Sequence, residues 1–135
     1  SIVGRLAHLE AAGRAAIEGP LEDEGLRRGE FDVLATLRRS GPPYALAPAA
    51  LADHLLITRA GLTSRLDRLE SAGLVARTPS PTDGRGKTVT LTEAGRGLIE
   101  RLLPGHIRRE RDLLSALTDA ELHTLDGLLR RLTTP

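Results

Sequence analysis

Cysteine is absent from this 135-residue chain, which excludes disulfides, thiolate metal sites and switches based on thiol oxidation. Aromatic residues are nearly missing too: Phe31 and Tyr44 stand alone, and there is no tryptophan. A core must then be built mostly from Leu, Ile, Val and Ala, a mixture that suits helices. No apolar run approaches the roughly 18 to 20 residues that a membrane span needs, and the start at Ser1 shows no basic-then-apolar signal pattern, so a cytoplasmic protein is expected. Catalytic signatures are lacking as well. There is no nucleophile elbow, no glycine-rich phosphate loop after a strand and no zinc-protease helix motif, so neither enzymatic activity nor a cofactor is expected. His106 and Glu110 stand four apart, but with His8, His54 and His123 they show no fixed ligand spacing across helices. No metal site is expected; packing or helix-surface hydrogen bonding is the commoner role for such histidines.

The chain has the length of one domain. Its net charge of +1 hides an uneven distribution. Between Thr58 and Lys87, six basic residues (Arg59, Arg65, Arg68, Arg77, Arg85 and Lys87) face three acidic ones (Asp67, Glu70 and Asp83), an excess of +3. The remainder holds 13 basic and 15 acidic residues, or −2. A basic segment inside a slightly acidic chain is a footprint for a polyanion, or else an ordinary solvated face.

Periodicity orders the elements. Ile2, Leu6, Leu9, Ala16 and Ile17 recur at helical spacing, and Gly19-Pro20 is expected to stop this first helix. Phe31, Leu34 and Leu37 mark a second helix ending near Ser40, before Gly41-Pro42-Pro43. Pro48 suits the first position of a third helix, whose buried side carries Leu51 and Leu55. Thr58 is an N-cap for a fourth, with Leu62, Leu66 and Leu69 inward and Gly73 at its end. Ala60, Ser64, Asp67, Arg68 and Ser71 then point outward, flanked by Arg59, Thr63 and Arg65. Residues 74–78 and 87–91 read as a two-stranded hairpin with a long tip. Thr92-Glu93 opens a fifth helix, which Pro104-Gly105 should kink. Thr118-Asp119-Ala120-Glu121 is a capping box opening the last helix, whose Leu122, Leu125, Leu129 and Leu132 form a coiled-coil-like seam.

Two short helices joined at Leu56-Ile57 and followed by a basic hairpin form the pattern of a helix-turn-helix with a wing. The fold class expected is mainly α with a small β-hairpin, a winged helix-turn-helix with N- and C-terminal dimerisation helices. One domain, 1–135, would hold a DNA-reading head at 28–99 and dimerisation helices at 1–20 and 100–135. A helix fits the major groove, where its N-terminal residues approach base edges. Thr58, Arg59, Ala60, Thr63, Ser64 and Arg68 are the candidates there: the small ones allow close approach, and the arginines reach bases or phosphates. Arg85 and Lys87 of the wing would hold the backbone or minor groove. Ile2, Leu6, Leu9, Leu122, Leu125, Leu129 and Leu132 exceed what one small chain can bury, which predicts a homodimer. The alternative is a winged-helix interaction or dimerisation module that does not read duplex DNA.

The run Leu62-Thr63-Ser64-Arg65-Leu66-Asp67-Arg68-Leu69-Glu70-Ser71-Ala72-Gly73-Leu74-Val75-Ala76-Arg77 resembles the MarR family of bacterial transcriptional regulators. So do the wing Asp83-Gly84-Arg85-Gly86-Lys87 and the following Leu91-Thr92-Glu93-Ala94-Gly95. The resemblance implies a winged-helix dimer on a pseudopalindromic operator, often a repressor released by a small ligand. Gly84 stands where the family usually has Arg. Gly29-Glu30-Phe31-Asp32-Val33-Leu34 and Arg38-Arg39-Ser40-Gly41-Pro42-Pro43-Tyr44 resemble more narrowly the PecS-type branch, which responds to urate or trans-aconitate. There an anion is held by a first-helix Trp, an Asp and two Arg, and the matching positions are Asp32, Arg65 and Arg77. The Trp has no counterpart here, so it lies upstream of Ser1 or the urate chemistry is absent. Two guanidinium groups can clamp an anion, or can form structural ion pairs with Asp32 or Asp67.

Overall fold

The computed structural model describes residues 1–82 and 84–134; Asp83, quoted above in the wing motif, and Pro135 lie outside the described residues. The elements run α1 (Ile2–Glu22), α2 (Arg28–Arg39), β1 (Ala45–Leu46), α3 (Pro48–Leu55), α4 (Arg59–Ser71), β2 (Val75–Pro79), β3 (Lys87–Leu91), α5 (Glu93–Leu113) and α6 (Asp119–Thr133). The architecture is mainly α with a small antiparallel sheet, a winged helix-turn-helix. Among the described residues, no helix is long and apolar enough to cross a membrane.

The chain divides into two compact units. One spans Glu18–Pro104, and the other joins Ser1–Ile17 to the segment from Gly105 to the C-terminus. The first unit holds a close-packed aliphatic core. Phe31, Val33, Leu34 and Leu37 of α2, Leu51 of α3, Leu62, Leu66 and Leu69 of α4, Val75 and Val89 of the sheet, and Ile99 of α5 are all buried. The spacing of the α4 leucines therefore points inward, as the periodicity predicts.

Local chemistry sets the boundaries. Pro48 is at the start of α3. Thr58 caps α4 by accepting a hydrogen bond from the Gly61 N–H at 3.0 Å. Thr118 and Glu121 form the predicted capping box of α6, with bonds of 3.2 and 3.0 Å. Between β3 and α5, the Thr92 hydroxyl donates to the Gly73 carbonyl at 2.6 Å and accepts from the Gly95 N–H at 3.0 Å. A Cβ on Gly95 would strike the Leu74 carbonyl, so this close approach requires glycine.

Two expectations need correction. First, α1 does not stop at Gly19-Pro20 but continues to Glu22. Pro20 removes one intrahelical bond, yet Leu21 is fully buried, and the Leu21 carbonyl accepts from Glu24 and Leu26, each at 3.0 Å. Burial of that turn outweighs the missing donor. Second, the hairpin gains a third strand: β1 pairs antiparallel with β3 in the order β1-β3-β2, with Ala45 opposite Thr90 and Leu46 opposite Val89. Pro104, where a kink is expected, lies inside α5, which is helical from Glu93 to Leu113.

Candidate nucleic-acid interface

The α3–α4 turn is built on a left-handed residue. Leu56 caps α3 at φ 56°, and the Ile57 N–H bonds the Ala52 carbonyl at 3.2 Å, which reverses the chain into Thr58. Leu56 is 78% exposed. Past Thr58, the inward leucines of α4 turn a polar face outward: Thr58, Arg59, Ala60, Thr63, Ser64, Asp67, Arg68 and Ser71 are all exposed. The Thr63 hydroxyl donates to the Arg59 carbonyl at 2.9 Å, so that hydrogen is committed within the helix. Arg85 and Lys87 are exposed on the wing. The Ser80 N–H closes the wing's tip on the Gly86 carbonyl at 2.9 Å.

Arg68 is exposed, but its inner nitrogen Nε lies 2.9 Å from Oε2 of Glu30. Glu30 is buried at 5% exposure, and its Oε1 accepts from the Arg27 N–H at the start of α2 at 3.2 Å. Arg65 is half-buried against Gly29, whose carbonyl accepts from its Nη1 at 3.4 Å. A Cβ on Gly29 would stand 2.6 Å from the Arg65 guanidinium carbon. Arg77 pairs with Asp67 at 2.7 Å and Glu70 at 3.0 Å, and its backbone N–H donates to Glu70 at 3.0 Å. Glu70 is held below the ordinary carboxylate range, chiefly by the Arg77 side-chain hydrogen bond, and Arg77 is pushed up in return.

Of the three positions matched to an anion site, Arg65 is thus held by Gly29, and Arg77 by Asp67 and Glu70. Asp32 is half-buried on α2. Of the two partners open to the arginines in the sequence, Asp67 is the one Arg77 takes. The predicted dimer residues Ile2, Leu6, Leu9, Leu129 and Leu132 are exposed, while Leu122 and Leu125 are half-buried. His106 meets Glu110 at 2.7 Å.

Sequence reasoning missed two groups. Glu30 lies three, four and seven residues before Val33, Leu34 and Leu37, and that helical spacing places it on the buried face. The second is a cluster around Tyr44. The guanidinium carbons of Arg38 and Arg96 stand 5.3 and 4.9 Å from its ring centre, and Glu100 accepts from both at 2.8 and 3.0 Å. Its two halves, Arg38 with Tyr44 and Arg96 with Glu100, are far apart in sequence, and no local pattern joins them.

The arrangement can lay a polar helix face against base edges and a basic wing beside them. The MarR family model matches residues 24–86. The chain is 40% identical over 130 residues to the transcriptional regulator PecS of Dickeya dadantii, covering 96% of this chain and 78% of that protein. A mutant MarR of Escherichia coli, solved in complex with operator DNA, superposes with a TM-score of 0.81 at 30% identity, covering 98% of this chain and 94% of that one. BpsR of Bordetella bronchiseptica, whose DNA binding is regulated by 6-hydroxynicotinic acid, superposes with a TM-score of 0.86 at 26% identity, over 100% and 94% of the two chains.

Proposed function

This chain belongs to the MarR family of DNA-binding transcription regulators, and from that premise we propose that it is a repressor that grips a pseudopalindromic operator as a homodimer and is released by a small anion. As a regulator it acts by binding, not by catalysis. The observation that carries the proposal is the exposed face of α4 from Thr58 to Arg68, with Arg85 and Lys87 of the wing exposed as well. In this reading residues 28–99 are the reading head, and 1–20 and 100–135 serve dimerisation. The exposed Ile2, Leu6, Leu9, Leu129 and Leu132 support a second copy, which would set two α4 helices about one DNA turn apart. Action on DNA places the protein in the cytoplasm.

The effector reading rests on Asp32, Arg65 and Arg77 and on the likeness to PecS and BpsR. A ligand carboxylate would compete with Asp67 and Glu70 for Arg77, and it must favour the non-binding arrangement to act as a switch.

A gel shift on the DNA upstream of its own coding sequence, with excess competitor, tests the DNA reading. Specific retardation is expected, and Arg59→Ala should weaken it by about 1 to 3 kcal/mol while leaving the fold intact. Equal retardation of unrelated DNA would favour the interaction-module alternative. Titration of the complex with urate, trans-aconitate, citrate and 6-hydroxynicotinate should reveal one that lowers affinity about 5- to 150-fold. Calorimetric silence of all four would remove the anion site while leaving DNA binding standing.

A further inference from the structure

We propose that Glu30 is a positioning residue for DNA binding: its buried carboxylate anchors Arg68 by Nε so that the outer nitrogens of the guanidinium are presented to a backbone phosphate. The proposal rests on the reading of α4 as the DNA-facing helix. Glu30 comes from α2, carries no exposed surface of consequence and would never touch DNA itself.

The contact is one that Arg68 cannot leave freely. Glu30 Oε2 is buried and receives no hydrogen bond of good geometry, so the Arg68 charge at 2.9 Å is what compensates it. Glu30 is itself fixed, because Oε1 is held by the Arg27 N–H at 3.2 Å. A cavity of about 460 Å³ borders the pair, and the other carboxylate lining it, Glu24, is taken by Arg101 at 3.1 Å. Glu30 therefore has no rival for Arg68 in this cavity.

A guanidinium held at Nε keeps its terminal nitrogens as donors in a fixed plane, the geometry that suits a phosphate. The Arg68 side chain makes no other bond among the described residues and is 42% exposed, which leaves those donors uncommitted. The preceding residue holds the neighbouring arginine in a different way: the Gly29 carbonyl accepts from Nη1 of Arg65, whose guanidinium lies on bare backbone there. The first turn of α2 thus sets two arginines of α4 through adjacent residues.

A double-mutant cycle on the full chain tests this, using fluorescence anisotropy with the duplex identified by gel shift. With Arg68 present, Glu30→Gln should weaken binding about five- to twentyfold; in the Arg68→Gln background the same change should cost less than about twofold. The salt slope should fall by about one in Arg68→Gln, with no further fall in the double variant. An equal loss in both backgrounds would make Glu30 merely structural and overturn the proposal, as would unchanged or tighter binding by Glu30→Gln. If Arg68→Gln alone has no effect, the proposal also fails, but α4 loses its assignment only if Arg59→Ala is silent too. Should Glu30→Gln melt below the assay temperature, Glu30→Asp takes its place, since it keeps the charge and withdraws the carboxylate by one methylene. The same two outcomes then decide.

Discussion

The two units of the molecule use their aliphatic residues in opposite ways. In Glu18–Pro104, apolar side chains are buried from Leu21 to Ile99, and Leu56 is the sole large one left strongly exposed among the described residues. In the other unit, Ile17 is the sole buried apolar side chain among the described residues, while Ile2, Val3, Leu6, Leu9, Ile107, Leu128, Leu129 and Leu132 are exposed. No residue of α6 is buried. Each unit has comparable apolar content, so the contrast lies in where the partners are. One unit satisfies itself; the other leaves its apolar side chains exposed, and in the proposed dimer a second copy would cover them.

The sharpest way to break the contrast is to charge the second unit. Leu129→Asp should leave the first unit folded while sedimentation shows a monomer, and loss of the second half-site contact should weaken operator binding roughly 100-fold or more. A variant that still sediments as a dimer and binds normally would show that this surface has another use. The converse change is Gly95→Ala, which drives a methyl into the Leu74 carbonyl at the base of α5. It should destabilise the protein by about 1 to 3 kcal/mol in chemical denaturation, through the self-sufficient unit. A midpoint equal to that of the parent would mean that the junction yields freely.

A smaller effect is expected at the wing. Gly84 has open space around the position of a Cβ, so Gly84→Arg should be accommodated without strain. It should steepen the salt dependence of DNA binding by about one unit, leaving the melting temperature unchanged. An unaltered slope would place the tip away from phosphate.

The smallest effect separates the units by pH. Glu70 is held below its ordinary value chiefly by Arg77, Glu100 chiefly by Arg96, and Glu121 chiefly by the Thr118 backbone N–H. A carboxylate lowered in the folded state binds fewer protons there than when unfolded, so its contribution is complete above the ordinary value of 4.5 and is lost as pH falls through the lower folded value. Two of these carboxylates lie in the self-sufficient unit and one in α6. NMR titration should find all three midpoints below 4.5, and a midpoint at or above it would dissolve the corresponding bond.

Much of this was legible in the sequence because it is local. Thr58 with Leu62, Leu66 and Leu69 announces α4, and Thr118 with Glu121 announces α6, since a cap and its helix lie within one or two turns of each other. What escaped is non-local. Leu21 holds α1 together past Pro20 through burial that no helix-stop rule contains. β1 has two residues, too few to alternate, and exists because β3 offers it an edge. Arg68 looked like a free outward cation because its partner, Glu30, lies on another helix 38 positions earlier. Asp32, Arg65 and Arg77 come from a resemblance, and the bonds of the two arginines to Gly29, Asp67 and Glu70 join elements that no local pattern links.

If α4 faces DNA as proposed, the bond from the Thr63 hydroxyl to the Arg59 carbonyl restricts the alphabet this residue can spell. With its hydrogen turned back into the helix, Thr63 offers a DNA edge only an oxygen lone pair and a methyl group. The amino groups of adenine and cytosine can donate to the first, and the methyl of thymine can pack on the second; guanine, which shows only acceptors in the major groove, finds no match. A purine set against the Thr63 oxygen would thus be adenine and not guanine, a choice made by a proton the helix has already used.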